Sequence, residues 1–133
     1  MSGIEERAQS LAGRYVPVAR YFQPGDYVEY VREDRPCIYR RIDQFLTLAL
    51  DIHTKSLIGF RLKGFNNFFL SHLKPRYRLL DDQFVALVSV IEVAVTKAAI
   101  EVFETADAKA AYTDAYNMAF VDNVELRNLP EAA

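Results

Sequence analysis

Asp51, His53 and His72 offer two imidazoles and a carboxylate, the donor set of a facial metal triad. Asp51 and His53 stand two apart, on one side of an extended segment. His72 has to be carried in by another element. A triad needs all three ligands to converge with supporting hydrogen bonds, so the preferred reading is a turn-capping Asp51 and two partly exposed histidines. Acid–base chemistry has candidates in Asp43, Asp51, His53 and the tyrosines, but such groups work only when burial or neighbours tune them. Asp43 beside Gln44 reads first as a turn residue. Ser71 and His72 are adjacent, which is not the geometry of a nucleophile and its base. Cys37, between Pro36 and Ile38, reads as a packed small side chain. A reactive thiolate there needs a cation at hand, and Arg40 and Arg41 are near only in sequence. The chain has no Gly-x-Ser-x-Gly elbow, no phosphate-cradling glycine loop and no dinucleotide fingerprint. No cofactor is implied.

Charge is more informative than any such motif. The net charge is −2, yet residues 1–51 carry −1, residues 52–80 carry +6 with no acid, and residues 81–133 carry −7. The basic middle comprises Lys55, Arg61, Lys63, Lys74, Arg76 and Arg78. Either it meets an anion, or it pairs with the acidic C-terminal part within one chain or across a dimer. Phe65, Asn66, Asn67, Phe68, Phe69 and Tyr77 are interleaved with these cations. Basic residues among aromatics suit a nucleic-acid strand, where cations hold phosphates and rings stack on bases. Against that, Phe65, Phe68 and Phe69 sit at helical spacing and read as core, and a sequence pI near 5.7 is low for a dedicated nucleic-acid binder. Pairing is therefore the leading reading of the basic middle, with nucleic acid behind it.

These residues need a frame to position them. A chain of 133 residues, 51% hydrophobic and 26% charged, suits a single domain with its own core, residues 1–133. A lone cysteine makes no internal disulfide, which fits a reducing compartment. The segment Met1–Leu11 carries Glu5, Glu6 and Arg7 and lacks the apolar run of a signal peptide. Glu92, Lys97 and Glu101 interrupt the most apolar stretch, Phe84–Phe103, so no membrane span is expected. The expected location is cytoplasmic.

Ser2 to Glu5 has capping-box spacing and opens a short first helix ending at Gly13. Tyr15–Phe22 holds Pro17 and reads as an extended segment or edge strand. Gln23-Pro24-Gly25-Asp26 is a turn, with Gly25 expected at positive φ. Four strands follow over Asp26–Arg32, Cys37–Ile42, Phe45–Ile52 and Leu57–Lys63. In the third, Leu46, Leu48, Leu50 and Ile52 share one face. In the fourth, Ile58, Phe60 and Leu62 point one way and Arg61 and Lys63 the other. Short connections predict that successive strands pair as an antiparallel meander. Phe65 to Leu73 has helical spacing and should stop before Pro75. Asp81 or Asp82 should cap a long helix to about Glu104. Thr105 and Asp107 should open a second helix, with an Ala/Tyr face from Ala108 to Phe120, and Val124–Leu126 can return as a strand. The fold class is thus α+β, an antiparallel meander of about four strands packed against two C-terminal helices. The first of those helices is apolar nearly all round, which favours a homodimer.

Asp26-Tyr-Val-Glu-Tyr30, Ile42-Asp-Gln-Phe-Leu-Thr-Leu48 and Leu57-Ile-Gly-Phe-Arg-Leu-Lys-Gly64 together resemble short uncharacterised prokaryotic domains. The resemblance covers residues 26–64, implies a bacterial origin, and carries no catalytic residue with it. The functional expectation is a non-enzymatic, dimeric interaction module whose partner is a protein or a small anionic ligand. Its contact residues would be Arg61, Lys63, Lys74, Arg76 and Arg78. The alternatives are a small enzyme using Asp51, His53 or His72 in a cleft between sheet and helices, and a nucleic-acid binder using the segment 52–80.

Overall fold

A computed structural model describes residues 15–77, 85–97, 105–127 and 129–130. The expected first helix, the expected Asp81 or Asp82 cap and the stretch approaching Glu104 lie outside the described residues. Five strands form one antiparallel sheet: β1 (Arg20–Phe22), β2 (Tyr27–Val31), β3 (Cys37–Arg41), β4 (Leu46–Asp51) and β5 (Leu57–Lys63). Their order is β1-β2-β5-β4-β3. The α+β class and the four alternating segments hold, and Tyr15–Phe22 supplies a fifth strand at one edge. The pairing differs from a simple meander at one connection. β2 pairs with β5, not with β3. Gly59, which lies opposite Val31, permits the close backbone approach that this pairing needs. A Cβ there would stand 2.2 Å from the Tyr30 carbonyl oxygen and 2.8 Å from the Val31 Cα. Only glycine lets β5 lie beside β2 at that point.

The turn at 23–26 also differs. Asp26, not Gly25, takes the positive φ, at 48°. Aspartate tolerates this region because its side chain can bond locally. The Asp26 carboxylate accepts hydrogen bonds from the Tyr21 hydroxyl at 2.9 Å and the Asn66 backbone N–H at 2.8 Å. It thereby ties the first hairpin to the helix start after β5, where Gly64 sits at φ 65°.

That helical segment comes in three pieces: α1 (Phe65–Phe68), a π-helical turn (Phe69–Leu73) and α2 (Lys74–Tyr77). It does not stop before Pro75. Proline lacks an N–H and crowds the carbonyl four residues back. That residue is Ser71, inside the wider π turn, where the missing bond and the ring are accommodated. Next, Val85–Ala86 form a short strand, β6, in place of the expected helical turn, and pair with β7 (Glu125–Leu126). Between them run α3 (Leu87–Lys97) and α4 (Ala106–Val121). Thr105 caps α4 as expected, its Oγ1 accepting from Ala108 N–H at 3.1 Å. Among the described residues, no helix is long and apolar enough to cross a membrane.

The core lies between one sheet face and the helices. Val28, Tyr30, Leu46, Leu48, Phe60 and Leu62 come from the sheet. Phe65, Phe69 and Leu73 come from the segment after β5, and Leu87, Val90 and Ile91 from α3. α4 contributes the small side chains Ala111, Ala115 and Ala119, which let it pack close, together with the larger Tyr112 and Met118. The other sheet face is different. Thr47 and Ala49 are buried even there, on β4, which is flanked by β5 and β3.

A candidate anion-binding face

Register decides which side chains meet on the face away from the core. Arg20 stands opposite Glu29, Glu29 opposite Arg61, Arg61 opposite Thr47, and Thr47 opposite Arg41. Directly paired residues share a face, so this is one row across all five strands. Phe22, Tyr27 and Lys63 form a second row beside it. Val31, Gly59, Ala49 and Tyr39 form a third. The face thus gathers Arg20, Arg41, Arg61 and Lys63 with the rings of Phe22, Tyr27 and Tyr39 and two carboxylates, Glu29 in the central row and the buried Asp51 opposite Cys37 at the end of β4.

Arg61 is the fixed point. Its Nε donates to Glu29 Oε2 at 2.5 Å, and the Tyr39 hydroxyl donates to the same oxygen at 3.0 Å. The guanidinium carbon lies 3.9 Å from the centre of the Tyr39 ring and 4.6 Å from that of Tyr27. Both are cation–π distances. Tyr27 in turn stacks on Phe22, with centroids 5.0 Å apart. Burial pulls the Arg61 pKa down, but the hydrogen bond and charge of Glu29 outweigh it, and the net shift is upward. The Tyr39 hydroxyl is pushed up by burial first, then by its hydrogen bonds and the Glu29 charge. At neutral pH the cluster therefore holds a cation, a carboxylate and a neutral phenol in one arrangement. Beneath it, the Thr47 hydroxyl is buried with no hydrogen-bond partner.

Around this fixed centre, Arg20, Arg41 and Lys63 are exposed. Phe22 is 38% exposed and Tyr39 44%. Tyr15 borders the same face, its hydroxyl donating to the Val31 carbonyl at 2.7 Å. A groove of about 340 Å³ runs there, lined by Tyr15, Val16, Arg20, Phe22 and Glu29.

No family model, curated protein or solved structure matches the chain. The geometry alone therefore sorts the candidate residues. Arg61 and Lys63 share the open face, as their alternation predicts. Lys74 belongs to α2, in the segment that packs on the opposite, core side through Phe65, Phe69 and Leu73. The Arg76 side chain and Arg78 lie outside the described residues. The metal candidates do not converge. Asp51 Oδ1 accepts the backbone N–H groups of His53 at 2.8 Å and Thr54 at 3.0 Å, and Oδ2 accepts Arg35 Nη1 at 3.3 Å. Those bonds, the Thr54 N–H foremost, hold the Asp51 carboxyl down at about 2. His53 is exposed in the β4–β5 turn, while His72 sits in the π turn with its ring 5.3 Å from that of Phe68. Among the described residues, no three His, Cys, Asp or Glu side chains are grouped to hold a metal ion. Asp43 is a turn residue as read, accepting Phe45 and Leu46 N–H at 2.8 and 2.7 Å. Cys37 is half-buried on the edge strand β3.

The expected pairing of the basic middle with the acidic part is not what holds Arg61, whose partner is Glu29 on the neighbouring strand. Among the described residues, Arg32 and Arg40, both outside the basic middle, pair with carboxylates of α4 and of the residue after it. Arg32 binds Asp122 through two bonds of 2.8 Å, and the Tyr30 hydroxyl donates to the same carboxylate at 2.5 Å. Arg40 pairs with Asp107 at 2.5 Å. A cleft of about 580 Å³ opens beside Tyr30 and Asp122, between residues 17–22 and 122–127. It contains neither Asp51 nor a histidine, so the residues first considered for catalysis do not line it.

Proposed function

We propose that this chain is a non-enzymatic binding module that takes an anionic partner on its open sheet face. The observation that carries the reading is Arg61, held between two rings and bound to Glu29 on a face with three further cations. A cation fixed in advance loses little freedom on binding, which favours affinity. The guanidinium also keeps N–H groups beyond the Nε used by Glu29, and these suit carboxylate or phosphate oxygens. Asp51, by contrast, spends both oxygens on its own turn and on Arg35, which removes it from acid–base work.

Titration with inorganic polyphosphate at low salt, read by calorimetry, tests the proposal. The expected result is binding that weakens as salt rises. Arg61→Ala combined with Lys63→Ala should weaken it at least about tenfold, the scale of one or two charged hydrogen bonds. Arg41→Ala with Lys63→Ala leaves the Arg61 cluster untouched and should weaken it in the same direction. Absence of binding by the parent protein, or unchanged affinity in the second variant, overturns the reading.

The same proposal includes a twofold pair of chains. Its support is Phe120 and Val121, at the end of α4, which are 66% and 73% exposed. Large apolar side chains left adjacent and open mark contact surfaces. Sedimentation equilibrium should give the mass of two chains, and Phe120→Ser with Val121→Ser should halve it. A monomer across the accessible concentration range removes this part.

A further inference from the structure

We infer that the anionic partner is single-stranded nucleic acid, laid across the open sheet from β1 to β3. The inference rests on the anion-binding reading above and goes further in naming the ligand's rings as well as its charge. Each edge strand presents one ring and one cation two residues apart on this face: Phe22 with Arg20 on β1, and Tyr39 with Arg41 on β3. That spacing is about 7 Å along a strand. Between the edges lie Tyr27, Arg61 and Lys63. From β1 to β3 the sheet spans about 19 Å, four inter-strand steps. A path of that length, with rings and cations at both ends and in the middle, suits a few nucleotides whose bases stack while their phosphates meet the cations.

Exposure selects the occupant. Phe22, Tyr39 and Tyr15 all stand on or beside this face, at 37–44% exposure. A simple polyanion or an acidic peptide makes use of the cations but has no flat rings to place on these. A duplex keeps its bases stacked inside and shows a flat sheet only its phosphates. Arg61 itself lies over the Tyr27 and Tyr39 rings, a planar cation already stacked on aromatics of this face. Charge sets the orientation. The described acidic residues of the C-terminal part, Glu92, Asp107, Asp114, Asp122 and Glu125, belong to α3, α4, the turn after it and β7, and not to the five-stranded sheet. A phosphate chain is repelled there and attracted here. A low overall pI is compatible with such a surface, because four cations share the open face while the described acidic residues of the C-terminal part lie away from it.

The test uses the full chain and fluorescence anisotropy of a short labelled mixed-sequence oligonucleotide. Its single-stranded, double-stranded and abasic forms are compared at low and moderate salt, with inorganic polyphosphate as a competitor. The single strand should bind, lose affinity with salt, and bind at least about fivefold more tightly than the abasic strand or the duplex, the scale of one stacked base. Phe22→Leu should cut that preference to near parity, with a much smaller loss of polyphosphate binding. A second variant, Tyr15→Leu, guards against a local fault at Phe22 and should act in the same direction. Equal binding of single-stranded and abasic forms, or a preference for the duplex, overturns the nucleic-acid inference and leaves the anion reading standing. Binding of neither oligonucleotide nor polyphosphate overturns both.

Discussion

The two faces of the sheet use arginine in opposite ways. On the helix side, Arg32 and Arg40 reach across to carboxylates of α4 and its C-terminal loop. On the open side, Arg61 turns to a neighbouring strand and is held among rings, with Arg20, Arg41 and Lys63 exposed around it. Strand parity alone separates the two sets, since alternate residues face opposite ways. On one side the cation helps fasten α4, which also packs through its alanines, Tyr112 and Met118. On the other it is organised, but no helix among those described makes use of it. Charge on this scaffold fastens layers where Arg32 and Arg40 cross them, and the proposed binding face rests on the charge that stays on the open side of the sheet.

The sharpest test of that division is stability. Phe60 is fully buried on the helix side, paired with Tyr30 in β2 and Leu48 in β4, its ring 5.9 Å from that of Tyr30. Phe60→Ala should cost about 3–5 kcal/mol, from lost burial and the cavity left behind. Tyr39→Ala, on the open face at 44% exposure, should cost far less. Urea denaturation of both variants decides the matter. Similar losses would mean that the open face is a second core and not a surface kept for binding.

Much of the helix side was legible in the sequence, because burial writes a period into the chain. Leu46, Leu48, Phe60 and Leu62 alternate as strands require, and Thr105 announces a helix start that the structure keeps. Asp43 read correctly as a turn residue. What could not be read is who meets whom. Asp43 Oδ2 also accepts the Tyr112 hydroxyl at 2.6 Å, 69 residues away, and Arg32 meets Asp122 across 90 residues. No local pattern encodes such distances. The open face was half visible. Arg61 and Lys63 stood out by charge and alternation, but Arg20, Arg41, Tyr27 and Tyr39 did not. Their row exists only once β5 is placed between β2 and β4. The one signal for that placement was Gly59, a glycine inside a strand, which marks close backbone approach. Pro75 misled for a related reason. Its rule forbids an ordinary helix, and the chain answered with a wider turn.

The smallest expected effect asks whether the layer-crossing carboxylate is structural in the sense claimed. Asp122 is held below the ordinary carboxylate range, chiefly by its hydrogen bonds with Arg32, with the Tyr30 hydroxyl adding to the same effect and burial opposing it. Asp51 is likewise depressed, from 3.8 to about 2, by its own turn. A carboxyl depressed in the folded state stabilises fully above its unfolded value, and that contribution is lost as pH falls toward the folded value. The protein should therefore lose thermal stability as pH drops from 3.8 toward about 2. Asp122→Asn removes one of the two contributions. At neutral pH it should cost about 1–2 kcal/mol, a modest figure because the Arg32 side chain is 38% exposed and its pairing is screened. In acid the variant should converge on the parent, since protonation has already cost the parent the same interaction. Melting temperatures of both proteins across this range measure it. A gap that stays constant into acid would mean that Asp122 contributes by shape and not by charge, and the contrast between the two faces would then rest on packing alone.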